Sequence, residues 1–85
     1  MISVGIDVSK GKSMVCIMKP GGEVLKTPFE MLHSMVSILH LVKLINSYDE
    51  EVRVILEDTG HYHLPVVTLL IEKGIFTCCV NALRM

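Results

Sequence analysis

The chain has 85 residues, enough for one domain. A domain of this size buries only roughly 60 to 65% of the surface that its unfolded chain exposes, so its core is thin. A hydrophobic content of 51% with a mean hydropathy of +0.53 is more apolar side chain than so small a body hides, which predicts a surface covered by further residues or by a second copy. A net charge of -1 excludes the strongly basic footprint of an autonomous nucleic-acid-binding domain. Lys10, Lys12, Lys19 and Lys26 gather early in the chain, but Glu23 and Glu30 dilute them, as on a solvated hairpin. No run reaches the ~18 apolar residues of a membrane span, and the first residues form a strand pattern rather than a signal peptide. Cys16, Cys78 and Cys79 have neither the number of a disulfide framework nor the spacing of a zinc site. A cytosolic protein with reduced thiols is expected.

In chain order, Ile2 to Val8 is rich in β-branched residues and predicts a strand closed by the Lys10-Gly11-Lys12 turn. Ser13 to Lys19 predicts a second, interior strand, with Met14, Cys16 and Met18 on one face and Val15 and Ile17 on the other. Pro20-Gly21-Gly22 turns the chain into a short third strand, Glu23 to Thr27. Thr27-Pro28-Phe29-Glu30 then has the pattern of a helix start: a Thr cap, Pro at the first helical position and Glu three residues after the cap. The predicted helix runs to Ser47, with Leu32, Met35, Val36, Leu39, Val42 and Ile45 on one face. Ile38, Leu41 and Leu44 widen that stripe, which calls for cover beyond the sheet. Val52 to Leu56 predicts a buried strand that delivers Glu57. A second helix follows from His61 or Tyr62 to Lys73, Gly74 terminates it, and Ile75 to Val80 forms a fifth strand.

The expected class is α/β, in the order β-β-β-α-β-α-β. Placing the first strand parallel to and beside the fourth brings Asp7, in Val4-Gly5-Ile6-Asp7-Val8-Ser9-Lys10, next to Glu57, in Val54-Ile55-Leu56-Glu57-Asp58-Thr59-Gly60. Carboxylates at adjacent strand ends suit magnesium, which prefers oxygen ligands in octahedral geometry. Two such ions about 4 Å apart drive phosphodiester cleavage, but they need more carboxylates than two. Asp58 is the nearest spare and belongs to the alternate face of the strand, while Asp49, Glu50 and Glu51 fall at the strand's other end. His61, Tyr62 and His63 lack a third zinc ligand and read as a helix-entry cluster.

Gly5-Ile6-Asp7-Val8-Ser9-Lys10, Glu57-Asp58-Thr59-Gly60-His61-Tyr62 and Val80-Asn81 together resemble the N-terminal domain of insertion-sequence 110 family transposases. These are relatives of the pilin-gene inverting recombinases, with a nuclease domain of the Holliday-junction-resolvase branch of the ribonuclease-H-like fold. The resemblance covers essentially the whole chain. It implies a ribonuclease-H-like mixed sheet, and DNA cleavage and strand exchange by a DEDD carboxylate set with magnesium. In many members a structured guide RNA directs the reaction, and the protein is expected to be a homo-oligomer. By match, Asp7 is the first D and Glu57 the E, both catalytic and metal-binding. Ala82 stands where members often carry Pro. The last two aspartates of the set, and the domain that supplies a catalytic serine, have no counterpart in the sequence. Residues 1–85 are therefore expected to be the N-terminal part of an incomplete nuclease domain, inactive alone.

Two other classes fit parts of the pattern. The first half of an actin-like or sugar-kinase ATPase shares the strand order, but its phosphate-cradling hairpin usually carries Gly near the position of Ser9. A non-catalytic, self-associating module would use the apolar helix face as its interface.

Overall fold

In the computed structural model, which describes residues 1–58 and 64–81, the chain forms β1 (Ile2–Ser9), β2 (Lys12–Met18), β3 (Val24–Leu32), α1 (Met35–Asn46), β4 (Val52–Asp58), α2 (Leu64–Glu72) and β5 (Phe76–Asn81). The five strands make one sheet in the order β3-β2-β1-β4-β5. β1 pairs antiparallel with β2 and parallel with β4, and β5 lies parallel on the outer side of β4. This is the expected ribonuclease-H-like mixed sheet.

Strand periodicity decides what is buried. Ile2, Val4, Ile6 and Val8 of β1 alternate with residues of the opposite face, and each is at most 2% exposed. On the same side lie Val15 and Ile17 of β2 and Val54 and Leu56 of β4. Ile38, Leu41, Val42 and Ile45 of α1 and Val66 and Leu70 of α2 join this one cluster, so both helices cover one face of the sheet. The other face carries no described element. β2 is interior in strand order, as expected, but Met14 and Met18 on its second face are exposed.

The helix start predicted at Thr27 is instead part of β3. Thr27, Pro28, Phe29 and Glu30 continue the strand to Leu32, paired with β2 through Val15↔Phe29, Met14↔Glu30 and Ser13↔Met31. The local capping pattern lost to the pairing needs of β2, whose outer backbone groups β3 satisfies. Pro28 fits because β3 is an edge strand and the register shifts between Val15 and Ile17, a bulge that tolerates a residue without an N–H. The cap of α1 is Ser34, whose Oγ accepts from the Ser37 N–H at 3.2 Å. The buried stripe is rotated from the expected one. Ile38 and Leu41, read as flanking residues, sit at its centre, whereas Met35 and Val36 are exposed. α2 packs on α1 and supplies the additional cover.

At the end of α2 the Ile75 N–H donates to the Leu70 carbonyl at 3.0 Å and the Gly74 N–H to Ile71 at 2.9 Å, with Gly74 at φ 76. This Schellman motif ends the helix where the sequence predicts, and Ile75 closes over the core. The start predicted for this helix, at His61 or Tyr62, lies outside the described residues.

The two capping patterns give opposite expectations. Ser34→Ala should lower unfolding free energy by about 1 kcal/mol, whereas Thr27→Ala, at an exposed edge position, should change it by less than about 0.5 kcal/mol. Urea denaturation of both variants checks this, and the reverse ranking would place the helix start at Thr27.

Candidate metal-binding site

β1 and β4 run in unbroken parallel register from Ile2↔Val52 to Val8↔Asp58, with Asp7 directly opposite Glu57. Neighbouring strands lie roughly 4.8 Å apart and opposed residues share a face, so the two carboxylates stand side by side. Both are exposed, on the face that the helices leave open. The sequence expectation of adjacency is met.

The register also identifies neighbours that sequence reading missed. Asp7 is opposite Met14, Met14 is opposite Glu30, and Glu57 is opposite Val80. A row Glu30-Met14-Asp7-Glu57-Val80 therefore crosses the sheet on one face. Glu30 is held by Lys12 at 3.2 Å, with both side chains more than half exposed, a contact worth at most about 1 kcal/mol. Behind the row, Asp7 and Glu57 line a groove of about 400 Å³ with Gly5, Cys16, Met18 and Ile55. A Cβ added at Gly5 would meet nothing within 4 Å, so the groove floor is open space. A glycine between two apolar strand residues could have signalled this floor, but only the register shows what flanks it.

Among the described side chains no other carboxylate joins the pair. Glu50 lies 2.8 Å from the N-terminal ammonium and Glu51 3.0 Å from the Arg53 Nε, both at the opposite end of β4, as the sequence implies. Asp58 is opposite Val8, one register position beyond the pair. Among the described residues no three His, Cys, Asp or Glu side chains gather into a metal cluster. His61 and His63 lie outside the described residues. Two carboxylates that face solvent together are suitable oxygen donors for magnesium, which retains several waters and binds through one or two carboxylates. The donor set fits such an ion in part.

The model of a family described as Transposase, the DEDD transposases of the insertion-sequence 110 group, matches residues 4–85. The chain belongs to this DEDD transposase family. That assignment sets aside the ATPase alternative. Among curated proteins none matches the chain. Among solved structures, the fold is similar to Pelota from Archaeoglobus fulgidus, with 15% sequence identity and a TM-score of 0.63 over 95% of this chain and 26% of that one. A Ppx/GppA family member from Aquifex aeolicus is similar at 13% identity and a TM-score of 0.48, over 96% of this chain and 35% of that one. The transposase domain thus spans about a quarter of the Pelota chain, and that likeness bears on the fold alone. No described helix is long and apolar enough to cross a membrane.

The N-terminal ammonium, by hydrogen bonding, holds the Glu50 carboxyl below its ordinary value of 4.5. Because the folded value is the lower one, the contact contributes stability above about pH 4.5 and loses it as pH falls through the lowered value. An NMR titration should place Glu50 below 4.5, and acetylation of the Met1 amine should bring it back up. A midpoint unmoved by acetylation would remove the ion pair.

Proposed function

We propose that this transposase domain contributes the first two carboxylates, Asp7 and Glu57, of a magnesium-dependent site for DNA cleavage and strand exchange. One observation carries the reading: the two acidic motifs by which the chain resembles its family meet in register on the exposed face of β1 and β4. Asp7 and Glu57 would hold the metal, which when bound supplies Lewis-acid stabilisation and an activated oxygen for phosphodiester cleavage. The residues themselves act by position. Backbone pairing sets the Cα positions of both residues before metal or DNA arrives, which limits the reorganisation required on binding. The open groove beside them, floored by Gly5, gives a nucleic-acid backbone room to approach.

The same inventory limits what the chain does alone. Of its nine acidic residues, besides Asp7 and Glu57, Glu50 and Glu51 are engaged at the far end of β4, Glu30 pairs with Lys12, Asp58 stands opposite Val8 one register position beyond the pair, and Asp49, Glu23 and Glu72 lie in or beside other connections. In this reading the last two carboxylates of the DEDD set are supplied by other parts of the parent protein. DNA is the proposed substrate, a structured RNA guide is an option of the parent protein, and the environment is cytoplasmic.

In the intact transposase, Asp7→Asn and Glu57→Gln should each lower magnesium-dependent strand cleavage by about 100-fold or more, the scale of losing one electrostatic contact to the transition state. Binding of branched DNA should change little. The 85-residue chain should not nick supercoiled DNA in magnesium. Wild-type cleavage by either variant would defeat the site assignment, and robust nicking by the short chain, abolished by Asp7→Ala, would defeat its incompleteness.

A further inference from the structure

The two edges of the sheet are built differently. β3 has the features that block edge pairing: Pro28 without an N–H, the charges of Lys26 and Glu30, and two register shifts against β2. β5, Phe76-Thr77-Cys78-Cys79-Val80-Asn81, has no charge, no proline and no bulge, and all six residues pair in unbroken register with β4. It is also exposed on both faces at its centre, because Cys78, Cys79 and Val80 are all accessible and Phe76 is 61% exposed. A row of outward backbone groups on so apolar a strand is a template for another strand.

The residues of β5 indicate which strand fits. An antiparallel copy of β5 turned about a two-fold axis at Cys78 places Phe76 opposite Val80, Cys78 opposite Cys78 and Thr77 opposite Cys79. Phe76 with Val80 is an aromatic and β-branched pair, among the stabilising cross-strand combinations, and it occurs twice by symmetry. Phe76, Cys78 and Val80 lie on the open face, since they are opposite Arg53, Ile55 and Glu57. This register therefore joins the open faces of two copies into one. A two-fold antiparallel pairing keeps like faces together, so the neighbouring registers turn about Thr77 or Cys79 and place Phe76 opposite Cys78 or Cys78 opposite Val80. Of these registers only the one about Cys78 pairs Phe76 with Val80.

We propose that β5 is a dimerisation edge at which a second copy of this chain adds its own β5 antiparallel about Cys78, making a continuous sheet of ten strands from two of five. The inference does not rest on the chemistry proposed for Asp7 and Glu57. A six-residue strand pair is small for a stable interface, so the dimer should be concentration-dependent in the micromolar range.

Two measurements test it on the full chain. Directly opposed Cα atoms in an antiparallel pair lie about 4.5 to 5.5 Å apart, inside the range that a disulfide spans. With diamide as oxidant, a chain retaining only Cys78 (Cys16→Ser, Cys79→Ser) should form disulfide dimer at least about 10-fold faster than one retaining only Cys79 (Cys16→Ser, Cys78→Ser), because only the first pair is aligned. Equal rates, or a faster Cys79 chain, would overturn the register. In sedimentation equilibrium, Val80→Lys should raise the dimer dissociation constant at least about 10-fold with an unchanged far-UV circular dichroism spectrum, since it removes both Phe76 pairs. A monomeric wild-type chain at millimolar concentration, or a folded Val80→Lys chain that dimerises as wild type does, would overturn the proposal.

Discussion

The parallel pairing of β1 with β4 is the constraint on which both the core and the carboxylate pair depend. Side chains alternate with a period of two, so a slip of one residue in β1 would expose Ile2, Val4, Ile6 and Val8 and turn Asp7 beneath the helices. Each of these aliphatic side chains is worth about 1.5 to 3 kcal/mol when fully buried, and an unpaired buried carboxylate costs more again. The position of Asp7 and Glu57 is therefore set by residues that never touch them. In a thin domain the same apolar pattern that folds the sheet thereby also sets the two acids side by side.

The excess of apolar residues in the composition has a location. Both helices lie on one face, and Met14, Met18, Ile55, Phe76 and Val80 stand exposed on the other. The carboxylate pair sits in the same open face, with the Gly5 groove behind it. Whatever approaches Asp7 and Glu57 therefore meets an apolar floor beside a charged rim, a surface suited to a flat, partly apolar macromolecular contact more than to a small enclosed ligand.

Much of this was legible in the sequence, for identifiable reasons. β-branched runs ending at Asp7 and Glu57 carry their own periodicity, and Gly74 predicts the end of α2 because the Schellman geometry requires a left-handed residue there. Thr27-Pro28-Phe29-Glu30 misled because a capping pattern is a local signal, whereas the strand that forms there answers to β2, more than ten residues earlier in the chain. The false start put Leu32 of β3 into the helix, and the stripe in α1 was misplaced because apolar residues lie on so much of its circumference that periodicity alone does not say which side faces the sheet. Adjacency of the two acids could be argued from strand order alone. Their neighbours Met14, Glu30 and Val80 could not, because register is a property of pairing and not of any one segment.

The most direct test of the central claim, that strand register makes Asp7 and Glu57 a single metal-binding unit, is the affinity of the folded chain for Mn²⁺ measured by electron paramagnetic resonance. Wild type, Asp7→Asn, Glu57→Gln and the double variant would be compared. If the two carboxylates hold one ion together, each single substitution should weaken binding nearly as much as both do. Equal affinity in all four proteins, or losses that simply add, would show that the two acids do not act as a pair.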